Sequence, residues 1–150
     1  MTDTVSKRIE ELFDSGYYCA ESVLLMVTET YGIQSEFIPQ IATGLCGGVS
    51  RTSNVCGALT GGVLAISLFM GRKLPSEPVN NTFVPVQRLI DRLEAAFGST
   101  NCRALTGCDL NTPKGQDYFK TNKIRAKCQK YTEEATRIAI SLIEADKEAC

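Results

Sequence analysis

The stretch VCGALTGGVLAISLFM, residues 55–70, is the longest apolar run in the chain, with Arg51 before it and Arg72 and Lys73 after it. At 16 residues it falls short of the roughly 20 needed to cross a bilayer. It shows no strand-like alternation, so it predicts a helix whose every face must be covered by other helices. The rest of the chain is patterned to supply them. Val5, Ile9, Leu12 and Phe13 form the stripe of a first helix that stops near Ser15-Gly16. A second helix is expected from about residue 17 to 31, ending at Gly32, with Cys19, Val23, Met26 and Thr30 on one face and Leu24, Val27 and Tyr31 on the next. Ser35, Glu36 and Pro39 mark a short third helix ending before Gly44. Val86, Leu89, Ile90, Leu93 and Phe97 repeat with helical period up to Gly98. A short helical turn is expected around 100–106. Thr112-Pro113 opens the last helical region, with a break near Thr121-Asn122. In that region Cys128, Tyr131, Ala135, Ile138, Leu142 and Ala145 keep a 3-4 spacing. The expected architecture is all-α: a single cysteine-rich helical domain over residues 1–150, built as a bundle of five to six helices and divided by no linker.

Charge narrows the function classes. Sixteen basic and 17 acidic side chains leave a formal charge of −1, which gives no footprint for nucleic acid or an anionic membrane. The first residues, MTDTVSKRIEELF, lack the apolar core of a secretory signal, and a cytoplasmic location is expected. In such a reducing setting cysteines serve as packing residues, metal ligands or redox groups rather than as a disulfide framework.

Seven cysteines and no histidine are present. The missing histidine removes Ser-His and Cys-His nucleophilic machinery. No two cysteines form a C-x-x-C pair, so any site must be assembled in space from separate helices. Two of them head the same phrase: Cys-x-Ala-Leu-Thr-Gly occurs at 56–61 and again at 102–107, each time after Ser, Thr and Asn residues. Those residues are helix N-caps. They are expected to set Cys56 and Cys102 in the first turns of helices, where free N–H groups and the dipole favour a thiolate. Arg51 and Arg103 lie close in sequence and would add positive potential. Gly57 and Gly61, four apart like Gly44 and Gly48, would leave room beside the Cys56 sulfur for a bound group, or allow tight helix packing. Cys150, the last residue, is expected to have no role.

Taken in order, GYYCAESVL around Cys19, GGVSRTSNVCGALTGGVLA around Cys56, FGSTNCRALTG around Cys102 and KCQKYTEEAT around Cys128 resemble a small bacterial family of redox-active proteins named for a C … GCAxxG … C … C pattern. Here the central motif is Val-Cys-Gly-Ala-Leu-Thr-Gly, with the cysteine before the glycine. The resemblance implies that Cys19, Cys56, Cys102 and Cys128 are the four characteristic cysteines, with Cys46 and Cys108 as extras. It also implies redox activity without a defined substrate. Related domains occur joined to multi-haem cytochromes, with an iron–sulfur centre associated with the cysteines. This chain has no C-x-x-C-H signal, so no c-type haem is expected.

Three readings follow. In the first, Cys19, Cys56, Cys102 and Cys128 converge as metal ligands for an iron–sulfur cluster, [2Fe–2S] foremost, with Gly57, Gly61 and Arg51 lining the cofactor. In the second, the protein is a metal-free thiol–disulfide protein with Cys56 and Cys102 as its redox thiols. In the third, four thiolates hold a structural zinc. The expected partner is a redox protein of unstated identity, with no nucleic acid and no membrane span. Glycine-bearing helix faces are compatible with a homodimer.

Overall fold

In the computed structural model the backbone is described for residues 2–149 and the side chains for residues 4–149; Cys150 lies outside them. Helix α4 (Gly57–Met70) runs through the middle. Its most extensive contacts are with α2 (Cys19–Thr30) and α8 (Arg125–Ala149), which also pack on each other. Helix α1 (Thr2–Asp14) lies against α8 and α2, and α5 (Asn80–Phe97) against α4 and α8. Ala58, Leu59, Ala65 and Ile66 of α4 are buried, but the covering is incomplete, since Leu68 near its end is 45% exposed.

Glycine lets the central helices approach. A Cβ on Gly61 would sit 2.7 Å from the Ala20 carbonyl oxygen, and one on Gly62 would sit 2.8 Å from Leu89 Cδ2. Gly61 therefore serves the crossing of α4 over α2. Of the two uses the sequence leaves open for this glycine, a bound group or tight helix packing, the second is the one realised at Gly61.

Among the described residues the helices number eight, with a 3-10 helix at Gln40–Leu45, against the five or six expected. The class is as read and the count is higher, because short pieces punctuate the chain. The third helix foreseen from Ser35 is a turn followed by that 3-10 helix. Helix α3 (Cys46–Val49) is a single left-handed turn, α6 (Cys102–Thr106) has five residues, and the last region divides into α7 (Pro113–Thr121) and α8 near Thr121-Asn122. No helix of the described residues is long and apolar enough to cross a membrane.

Candidate redox site

The two copies of the repeated phrase meet. Val55 and Asn101 form an isolated antiparallel bridge. The Cys56 amide donates to the Thr100 carbonyl at 2.8 Å, and the Cys102 amide donates to the Asn54 carbonyl at 2.6 Å. Each copy thus pins the other through equivalent backbone groups, and two cysteines 46 positions apart are held side by side at the starts of α4 and α6. Asn101 caps α6 as its residue type dictates, its side chain accepting from the Ala104 amide at 2.9 Å. The first copy differs. Helix α4 begins at Gly57, Cys56 is itself the N-cap residue, and the Asn54 side chain donates to Thr52 instead.

The segment between Cys46 and this junction is strained. Gly47, Gly48, Val49, Ser50 and Arg51 all have φ between 54° and 71°, one continuous left-handed stretch that includes a β-branched residue. Each non-glycine residue there costs roughly 1–2 kcal/mol. Surrounding bonds hold it: the Ser50 amide donates to the Cys46 carbonyl at 2.8 Å and the Asn54 amide to the Gly48 carbonyl at 2.8 Å. Gly48 also lies against Cys102, where a Cβ would come within 2.6 Å of the cysteine Cβ. The left-handed stretch carries Cys46 and Arg51 to the edge of a cavity.

That cavity, of about 460 Å³, is lined by five cysteines from five elements: Cys19, Cys46, Cys56, Cys102 and Cys128. The four cysteines singled out from sequence are all among them, and so are Gly57 and Arg51; Gly61 is not. Gly57 is needed where it stands, since a Cβ there would collide with the Cys19 sulfur. The Cys46 thiol donates to the buried Glu21 carboxylate at 3.6 Å and to the Ala42 carbonyl at 3.7 Å. Cys108 is buried beside Cys102 and Leu110. Tyr131 closes the floor: its ring meets Phe97 edge-on at 4.8 Å and its hydroxyl donates to the Leu105 carbonyl at 2.9 Å, tying α8 to α6.

Four of these thiols, Cys46, Cys56, Cys102 and Cys128, are shifted toward the protonated form. Burial raises the pKa of Cys56 above the ordinary thiol range, and the neighbouring Cys102 pushes the same way; the amides of Ala58 and Leu59 oppose both and do not prevail. Burial likewise raises Cys102, with Cys108 adding to it. Cys128 is pushed up to about 12 by burial and by its proximity to Cys56, Cys102 and Cys108. Cys46 is raised first by the neighbouring Cys19 and then by burial. The expectation that helix starts would make Cys56 and Cys102 thiolates is therefore corrected: desolvation outweighs the dipole. Arg103 gives no help, its exposed side chain lying 3.9 Å from Asp109.

Among the described residues no three cysteine, aspartate or glutamate side chains are placed to hold one metal ion, and all six described cysteines are free of disulfides. Five cysteines line one cavity without forming a group that would hold a single ion. Of the two cysteines set apart in the sequence, Cys46 lines the cavity with the others, whereas Cys108 is buried beside Cys102 and does not line it. Their signals were slight: Cys46 directly precedes the Gly47-Gly48 pair, and Cys108 stands in the second copy where Gly62 stands in the first.

Residues 17–142 match the family model described as "Putative redox-active protein (C_GCAxxG_C_C)". The chain belongs to that family. A protein of Archaeoglobus fulgidus, described as uncharacterized, is similar to this C_GCAxxG_C_C protein at 27% identity over 97% of both chains. No solved structure matches it.

Proposed function

We propose that this protein transfers electrons through an iron–sulfur cluster of the [2Fe–2S] type, ligated by Cys19, Cys56, Cys102 and Cys128 in the central cavity. The observation that carries the reading is that five cysteines from separate elements line one cavity of about 460 Å³ with no three of them placed to hold one ion. A polynuclear centre needs ligands spread about it, whereas a single zinc needs four sulfurs close around it. The donor set fits, since no histidine exists in the chain and no carboxylate lines the cavity.

When bound, the cluster supplies a one-electron store. The chain's own contribution is to hold the ligands and to release the thiol protons that ligation requires. Gly57 keeps space open at Cys19, and Tyr131 fixes α8, and with it Cys128, against α6.

One observation favours a second reading. Cys19 lies close enough to Cys46 to raise its thiol pKa, and a neighbouring pair suits metal-free dithiol–disulfide chemistry there rather than at Cys56 and Cys102.

Anaerobic purification with a visible spectrum and iron and sulfide analysis tests the first reading. The expected result is a coloured protein with iron and labile sulfide, lost in Cys56→Ser and retained in Cys150→Ser. A colourless wild-type protein free of iron, after reconstitution with iron and sulfide under the same conditions, would sink it.

A further inference from the structure

The cysteine cavity has a second character that ligation of a metal centre does not use. Its lining includes three cations, Arg51, Lys120 and Arg125, and no aspartate or glutamate, in a chain whose net charge is −1. Arg125 is already engaged, 3.1 Å from Asp14 and with its guanidinium 5.4 Å from the centre of the Phe13 ring. Arg51 and Lys120 make no ion pair among the described residues. With Arg51 and Lys120 unpaired, and the nearby buried carboxylate of Glu21 engaged by Thr43 and Cys46, the cavity lining favours an anionic occupant.

Arg51 reaches this place at a cost. It ends the left-handed stretch that begins at Gly47, with φ of 64°, and a strained backbone kept at a cavity edge marks a position held for function. Aromatic surface lies beside the cations: Phe13 is buried, Phe119 is half-buried and Tyr18 is 59% exposed. The volume, about 460 Å³, is in the range of small-molecule sites, ~300–1,000 Å³, which combine apolar walls with a few placed polar groups.

We propose that the cavity binds a small organic anion beside the sulfurs, its carboxylate held by Arg51 and Lys120 and its flat apolar body against Phe119 and Phe13. This deepens the redox reading by naming the chemical class of molecule admitted to the same site. It rests on the cations and the cavity rather than on the identity of the redox group.

Calorimetric titration of the full chain, purified anaerobically, with benzoate and with its uncharged isostere benzamide tests it. Benzoate binds the wild-type protein, benzamide does not, and Arg51→Gln and Lys120→Gln each weaken benzoate binding at least about tenfold. Circular dichroism of each variant checks that the helical fold is intact. A third variant, Lys130→Gln, lies outside the lining and binds benzoate as the wild type does. Equal binding of benzoate and benzamide, no binding of benzoate, or unchanged binding in folded Arg51→Gln and Lys120→Gln would overturn the proposal. Iron and sulfide measured on the same samples separate its failure from that of the cluster: a benzoate-binding protein without iron loses only the cluster, and an iron-bearing protein indifferent to benzoate loses only the anion site.

Discussion

Gly48 and Gly98 share a left-handed backbone, with φ of 67° and 84°, yet they differ in surroundings. Nothing lies within 4 Å of a Cβ on Gly98, while one on Gly48 would meet Cys102 Cβ, the Asn54 amide and Ser53 Cα at 2.6–2.9 Å. Gly98→Ala should therefore cost about 1 kcal/mol, the conformational penalty alone. Gly48→Ala should cost ~2–4 kcal/mol, because overpacking against backbone adds to it. Denaturant unfolding of the two variants measures the difference; equal losses would mean that the Gly48–Cys102 contact is not tight. The buried thiols make a second prediction. In cluster-free protein burial and the neighbouring cysteines push the Cys128 thiol up to about 12 from its ordinary 9.0. The unfolded chain then releases this proton first as pH rises. Its contribution to stability is full below about pH 9 and is lost as pH climbs toward 12. Unfolding at pH 8, 9.5 and 11 should show a falling stability that Cys128→Ala reduces; a flat profile for both proteins contradicts the assigned burial.

At the scale of elements, the helices whose patterns were long came through the sequence well. The stripe from Val86 to Phe97 and the stop at Gly98 correspond to α5 and its C-cap. The spacing from Cys128 to Ala145 falls within α8. Short elements were harder to read, because their shape is set by partners distant in sequence. The left-handed turn at 47–51 is held by bonds to its own ends and by Cys102, and no local propensity announces a Val or an Arg at positive φ. The repeated phrase announced that Cys56 and Cys102 were equivalent, though not that the two copies would pair. The dipole argument for thiolates failed because burial depth is a tertiary property. Gly61 was legible as a small residue on a helix, but whether a helix or a ligand filled its space depended on where α2 lay. Gly61→Val should force α2 and α4 apart at Ala20 and cost ~1–3 kcal/mol, read as a lowered urea midpoint. Asn101→Ala should cost about 1 kcal/mol through loss of the bond to the Ala104 amide; no change would show that the α6 cap is dispensable.

Across the whole molecule, the chain brings Cys19 on α2, Cys46 before the left-handed turn, Cys56 at α4, Cys102 at α6 and Cys128 on α8 to one cavity. Each arrives by a different route through the sequence. The order of cysteines and the absence of histidine pointed to a shared sulfur site, whereas its size, the raised pKa values of its buried thiols and its cationic lining emerged only from packing. The central claim is that these cysteines act as one group around one redox centre. Alkylation mapped by mass spectrometry, on anaerobic protein before and after removal of iron with a chelator, tests it most directly. The account predicts that Cys19, Cys56, Cys102 and Cys128 are protected together in the iron-loaded protein and lose protection together on stripping. Independent labelling of the four, unchanged by iron removal, would contradict a shared centre.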